Sequence, residues 1–195
     1  MTHAVTPSIG VAGDSLKQTP VRSHRKAAAD NGGFSPRQFR DALGMFPTGV
    51  TVVTARSPRG HQLGITVNSF TSVSLDPPLV LFNLSTSLAS LSELLQIDTF
   101  AVNVLTDSQS ELSARFACAQ SDKWASASSR PGRATPCPVL VPHLAVFECA
   151  RYAAHEAGDH MIVIGRVLHF ECNESASPLL FFRGRYRGVG HLIEK

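Results

Sequence analysis

From residue 34 onward the chain alternates apolar and polar positions with a period of two, broken by three short stretches of helical period. The first helical stretch opens at Ser35, which forms a capping box with Gln38, and Pro36 takes the first helical position. Phe39, Leu43 and Phe46 then share one face, and Pro47 stops the helix. Residues 50–54, Val-Thr-Val-Val-Thr, read as a strand that ends in a turn through Ser57-Pro58-Arg59-Gly60. The β character resumes over 64–74, Asp76-Pro77-Pro78 breaks it, and 79–84 has the apolar run of a buried strand. Leu88, Leu91 and Leu95 predict a second helix, and 100–105 another strand. Ser108 with Glu111 makes a second capping box, opening a third helix that carries Leu112 and Phe116. Residues 119–137, rich in Ser, Ala, Arg and Pro, read as a surface loop, and further strands are predicted at 144–150, 161–172 and 179–186.

Six or more strands against three short helices predict a mainly β fold, an antiparallel barrel. The strand–helix–strand alternation of a dinucleotide fold is absent. Residues 1–33 mix Pro, Gly, Ser, Ala and isolated charges without periodicity and read as a mobile extension, so one ordered domain is expected over 34–195. The extension carries Lys17, Arg22, Arg25 and Lys26 against Asp14 and Asp30, which is +2 of the formal net charge of +3. The domain is left near +1, poor footing for a nucleic-acid binder. No run approaches the ~20 apolar residues of a membrane span, and the N-terminus lacks the apolar core of an export signal. Cys118, Cys137, Cys149 and Cys172 form no CxxC pair and read as reduced, small hydrophobes, so a cytoplasmic protein is expected.

Three motifs invite chemistry that the rest of the chain does not supply. Gly13-Asp14-Ser15-Leu16 matches the block that names the GDSL hydrolases, but no Asp-x-x-His follows to activate the serine. His155-Glu156 and Asp159-His160 form a tight cluster whose spacing differs from HExxH, and a solvated turn is the simpler reading. Gly188-x-Gly190 lies too near the last residue for a helix to follow and meet a pyrophosphate, so a nicotinamide cofactor would be held without a Rossmann domain.

The informative stretch begins at Phe46-Pro47-Thr48-Gly49-Val50-Thr51-Val52-Val53-Thr54 and continues through Gly64-Ile65-Thr66-Val67-Asn68-Ser69-Phe70. Ser72-Val73-Ser74-Leu75-Asp76-Pro77-Pro78-Leu79-Val80, Phe100-Ala101-Val102-Asn103-Val104-Leu105 and Gly158-Asp159-His160 follow. Gly165-Arg166-Val167 and Pro178-Leu179-Leu180-Phe181-Phe182-Arg183-Gly184-Arg185-Tyr186 complete the series. In this order the motifs closely resemble the flavin reductase family over residues 34–190, including the small reductase components of hydroxyphenylacetate, nitrilotriacetate and styrene monooxygenases. The resemblance implies an FMN-binding split barrel and a homodimer. It also implies hydride transfer from NADH or NADPH to FMN or FAD, with reduced flavin passed to a separate flavin-dependent oxygenase. A carrier or sensor on the same barrel, binding flavin without turnover, is the alternative.

The same residues have the chemistry of a flavin site. An isoalloxazine ring needs a flat apolar slot with polar groups at its edge. In Pro47-Thr48-Gly49-Val50 the proline and glycine allow close backbone approach. Thr66, Asn68 and Ser69 suit a ribityl chain and phosphate, provided a bend near Ser69 brings the three together, because alternate strand residues face opposite ways. Ser72, Val73 and Ser74 offer N–H donors to the pyrimidine edge, where negative charge develops on reduction. The resemblance places His160 beside the nicotinamide as an orienting group, and Tyr186 is either a contact at the pocket mouth or core packing. Many relatives carry Arg or Lys in the loop after the strand ending near Asn83, whereas residues 84–95 here contain neither. Ser85, Thr86, Ser87 and Ser90 can hydrogen-bond a phosphate without neutralising it, and Arg115 is the expected compensating cation.

Overall fold

The computed structural model describes residues 33–118 and 122–190, so the expected extension through residue 32, with its Gly-Asp-Ser-Leu block, lies outside the described residues. Helix α1, Pro36–Leu43, starts at the predicted proline. Its predicted apolar face carries no buried residue: Leu43 and the following Phe46 are exposed, Phe46 by 74%. Strands β1 (Thr48–Gly49) and β2 (Thr51–Arg56) follow. Five of the six β2 residues are buried, because the strand divides two cores. Val53 and Ala55 face a cluster with Phe82, Phe100 and Val102, while Val50 and Val52 face one with Leu105, Phe116 and Leu179. Its buried hydroxyls are satisfied, Thr51 Oγ1 donating to the Val67 carbonyl at 3.0 Å and Thr54 Oγ1 to the Pro138 carbonyl.

Strands β3 (Gln62–Val67) and β4 (Thr71–Leu75) replace the predicted continuous stretch over 64–74, the chain bending at Asn68, and β5 (Pro78–Ser85) is the buried strand predicted over 79–84. Helix α2 is shorter than the leucine spacing predicts, Leu91–Leu94, although Leu88 and Leu95 still pack on the core. After β6 (Thr99–Val104) the capping box forms two residues earlier than predicted. Gln109 Oε1 accepts the Thr106 N–H at 2.8 Å and leads a 3-10 turn, Asp107–Gln109, into α3, Ser110–Ala117. Ser and Thr both cap well, so the sequence alone does not choose between the two boxes. Within the predicted loop lies a short strand β7, Ser129–Pro131, paired with β8, Pro138–Leu140.

Two 13-residue strands follow, β9 (Ala145–Ala157) and β10 (His160–Cys172), joined at Gly158-Asp159. Gly158 sits at φ +64°, a conformation that glycine adopts without strain. β9 thus extends seven residues beyond its predicted end at 150, and His155 and Glu156 belong to a strand rather than a turn. The predicted final strand is likewise a hairpin, β11 (Leu180–Phe182) and β12 (Arg185–Arg187), turning through Arg183 (φ 50°) and Gly184 (φ 72°). An X-Gly pair between two apolar-rich runs is the sequence signal for that turn.

The main sheet runs β3-β2-β6-β9-β10-β5-β4, each neighbouring pair antiparallel. Laid flat, its edges β3 and β4 would stand about 29 Å apart at ~4.8 Å per strand spacing. Residues 68–70 join them, and so short a link spans at most about 14 Å. The sheet is therefore rolled so that its edges meet at this end without pairing, a split antiparallel barrel. Ser69 Oγ, in the link, accepts the Asn83 N–H of β5 at 2.9 Å. A second sheet, β1-β11-β12, packs Phe181 and Tyr186 beside the α3 core.

Candidate functional site

A cavity of about 800 Å3 opens where α1 and the turn after it meet the link, the start of β10 and the β11–β12 turn. Leu43, Met45, Phe46 and Phe181 give it apolar walls, while Thr48, Asn68, His160, Arg40 and Arg183 bring polar atoms to it. The wall is pinned: the Arg183 N–H donates to the Gly44 carbonyl at 2.9 Å, and Arg183 Nε lies 3.2 Å from Met45 Sδ. Thr48 Oγ1 is buried with no hydrogen-bond partner among the described residues. Leaving such a hydroxyl unpaired costs about 1–3 kcal/mol, which a ligand atom would recover.

His160 is fixed by its neighbour. Its Nδ1 lies 2.7 Å from Asp159 Oδ1, and an ionised carboxylate only accepts, so Nδ1 carries the proton. The hydrogen bond from His160 holds the Asp159 carboxyl below its ordinary pKa. In the tautomer with its proton on Nδ1, the ring offers Nε2 as an acceptor. The Asp159 carbonyl accepts the Thr86 N–H at 2.9 Å and the Thr86 hydroxyl at 3.0 Å, which ties the hairpin tip to the loop after β5. His160 stands opposite Ser85 in the β10–β5 register. The arrangement joins flat apolar walls to an unpaired hydroxyl, an amide, two guanidinium side chains and an imidazole acceptor. It suits a planar heterocycle with polar edges, as both a flavin and a nicotinamide are.

The sequence profile described as "Flavin reductase like domain" matches residues 43–190, most of the chain. The chain belongs to the flavin reductase-like family. Among relatives of this family, "FMN reductase (NADH) SmoA" of Agrobacterium fabrum is 44% identical over 165 residues, covering 80% of this chain and 87% of that protein. A Rhizobium meliloti protein named "Probable flavin reductase" is 46% identical over 153 residues, and this chain spans about half, 49%, of its length. Among solved structures, the NADH:FAD oxidoreductase SgcE6 of Streptomyces globisporus, in complex with NAD and FAD fragments, aligns with TM-score 0.75. It is 36% identical over 79% of this chain and 92% of that one. The mainly β, antiparallel fold expected from the sequence is the one this flavin reductase-like chain adopts.

Of the residues singled out in the sequence, the main cavity gathers Thr48, Asn68 and His160, with Ser85 opposite His160 across the strand pair. Pro47 and Gly49 flank Thr48. Ser72, Val73 and Ser74 lie on edge strand β4, where the register shifts between Ser72 and Ser74 and drops Val73 from the ladder. The bend at Asn68 does not turn all three polar groups of β3 and its link one way. Thr66 Oγ1 donates to the Ser113 carbonyl at 2.7 Å, and Ser69 Oγ holds the β5 backbone. Val50 is core, and the Tyr186 hydroxyl lies 2.8 Å from Ser113 Oγ beside that core. The Arg115 guanidinium donates to Ser126 Oγ and lines neither this cavity nor a second one of about 330 Å3, which Ser90 does line. The sequence reading passes over Arg40, Met45 and Arg183. The Arg183-Gly184 turn signal would have brought the last of these to the site.

Proposed function

We propose that this chain is an NAD(P)H-dependent flavin reductase that supplies reduced FMN or FAD to a separate flavin-dependent oxygenase. The observation that carries this reading is the convergence of the unpaired Thr48 hydroxyl, the Asn68 amide and the oriented His160 on one apolar-walled cavity. The names of its relatives support it: "FMN reductase (NADH)" for SmoA and "Flavin-dependent monooxygenase, reductase subunit HsaB" for a Rhodococcus jostii protein 37% identical over 154 residues. The nucleotides carry the chemistry, a hydride passing from reduced nicotinamide to oxidised flavin with a proton taken up from solvent. The chain contributes position. Met45, Phe46 and Phe181 offer flat surfaces and exclude water, Thr48 and Asn68 fix polar edges, and His160 Nε2 accepts a donor such as a carboxamide N–H. The backbone of Ser72, Val73 and Ser74 serves the pyrimidine edge of the flavin.

The proposal includes a cytoplasmic homodimer. Leu43, Met45 and Phe46 are exposed beside the cavity, and Leu75 on edge strand β4 is 93% exposed, more apolar surface than an isolated domain keeps without use. A second copy packed on these residues would complete the cavity wall. Among the described residues no helix is long and apolar enough to cross a membrane. Mixing the purified protein with FMN or FAD and NADH or NADPH, and following loss of the reduced-nicotinamide absorbance, tests the activity. Flavin binding without nicotinamide oxidation would make the chain a carrier instead, and light scattering tests the dimer.

A further inference from the structure

Two cations on the wall of the main cavity stand without a counter-charge. Arg40 of α1 and Arg183 of the β11–β12 turn both line it and are exposed. No carboxylate among the described residues forms an ion pair with either. Asp41 lines the same cavity, but its carboxylate faces Arg37, at 4.0 Å. The two cations belong to one stretch of wall. The Gly44 N–H donates to the Arg40 carbonyl at 2.9 Å, and the Gly44 carbonyl accepts the Arg183 N–H at 2.9 Å. The Arg183 guanidinium is held there without being neutralised: Nε lies 3.2 Å from Met45 Sδ, and Cζ lies 5.2 Å from the centre of the Phe182 ring.

The backbone at Arg183 points the same way. Phe182 pairs with Arg185, so Arg183 and Gly184 are the whole loop, at φ 50° and 72°. A two-residue hairpin with both φ positive prefers Asn-Gly, because the left-handed region is costly for most other side chains. Arg183 is the one non-glycine residue with positive φ among the described residues. A side chain kept where the backbone favours asparagine is a sign of use. No acid of the protein supplies that use, whereas a ligand phosphate would: a guanidinium takes phosphate oxygens with a fork of N–H donors. The same cavity holds His160, whose Nε2 suits the carboxamide of a nicotinamide, and the rest of that nucleotide carries its phosphates away from the ring.

Resting on the reading of the chain as a flavin reductase, we propose that Arg183, assisted by Arg40, binds a phosphate of the nicotinamide nucleotide and so sets the affinity for the reductant rather than for the flavin. That phosphate is either the pyrophosphate that NADH and NADPH share or the 2′-phosphate of NADPH alone. Arg183→Asn separates side chain from backbone, because it deletes the charge and installs the favoured Asn-Gly turn. Its Tm should equal or exceed that of wild type. At saturating FMN its KM for the reductant should rise about tenfold, the scale of one charge-assisted hydrogen bond, with kcat within about twofold of wild type. Calorimetric titration of the FMN-loaded protein with NAD⁺ and NADP⁺ should show the same loss in Kd. A loss shared by both dinucleotides assigns the pyrophosphate, and a loss confined to NADP⁺ and NADPH assigns the 2′-phosphate. Arg183→Lys, which keeps the charge without the fork, should lose less, and Arg40→Gln should raise KM by a smaller factor than Arg183→Asn. Salt should raise the wild-type KM more steeply than that of Arg183→Asn. Unchanged Kd values for both dinucleotides in Arg183→Asn overturn the assignment, and with a lowered Tm they make Arg183 a packing residue. A loss that falls on FMN and spares riboflavin and both dinucleotides also overturns it. Wild-type protein that oxidises reduced nicotinamide no better than Arg183→Asn at low substrate sinks only this inference; wild-type protein that oxidises neither NADH nor NADPH sinks the function itself.

Discussion

The two ends of the β9–β10 hairpin use acidic residues in opposite ways. Near the base, Glu148 is fully buried and saturated by the protein. Its Oε1 accepts the Arg133 N–H at 2.7 Å, and its Oε2 accepts the N–H groups of Ala134 and Thr135 at 2.9 and 2.7 Å and the Thr135 hydroxyl at 2.9 Å. Glu171 nearby takes both oxygens to Arg130 Nη2, at 2.8 and 2.7 Å, with Arg133 Nε at 3.1 Å. At the tip, Asp159 is exposed, and the one other side chain its carboxylate meets among the described residues is His160, which lines the cavity. A carboxylate whose donors all come from the protein holds a loop. One that orients a ring and leaves that ring's second nitrogen open prepares a site.

Breaking the base should therefore cost stability. Glu148→Ala leaves three backbone N–H groups and a hydroxyl without their acceptor, an expected loss on the order of 3 kcal/mol or more in urea unfolding. The same residue fixes a pH dependence. Burial alone would raise its pKa, but the N–H groups of Arg133, Ala134 and Thr135 and the Thr135 hydroxyl outweigh burial and hold it below the ordinary carboxylate value. A depressed folded-state pKa means the contribution is fully present above the unfolded value, ~4.3, and drains away as pH falls through the folded one. The stability difference between wild type and Glu148→Gln should accordingly narrow on acidification. A constant or widening difference would show that the carboxylate's charge is not what the loop grips.

Breaking the tip should cost turnover rather than folding. His160→Ala removes an orienting acceptor, and about 10- to 30-fold should be lost in kcat/KM for NAD(P)H, chiefly through KM. A loss of 10²–10⁴-fold in kcat would instead mark an obligatory proton donor. Unfolding of this variant should stay near wild type, because the His160 side chain is half exposed. Identical kinetics in variant and wild type would remove His160 from the site.

The difference between base and tip also marks what could be read from the sequence. Periodicity finds β2, β5 and β6 because their apolar runs decide burial locally. It misses the last seven residues of β9, where His155 and Glu156 look like a turn; β10 pairs them with Ile162 and Met161. Strand membership there is set by the partner, not by the segment's own pattern. The ordered motifs single out Thr48, Asn68 and His160, which the fold gathers on one cavity. Thr66 and Ser69 look equivalent to them in sequence, yet their hydroxyls face Ser113 and Asn83, a choice made by the bend and by the packing of α3. Lys123 carries no local signal at all, since only the fold brings its Nζ to the carbonyls of Gly64 and Phe116.

The smallest expected effect is the sharpest on the tip itself. Asp159→Asn keeps an oxygen able to accept the His160 Nδ1–H but deletes the charge beside the ring. If the aspartate only holds the ring in place, the amide should do nearly as well, with a loss of about threefold or less in kcat/KM, under 1 kcal/mol. Steady-state kcat/KM for NAD(P)H at saturating flavin decides between the two roles. A loss of about tenfold or more would show that the negative charge beside the ring, and not only the oxygen that accepts the Nδ1–H, serves the site.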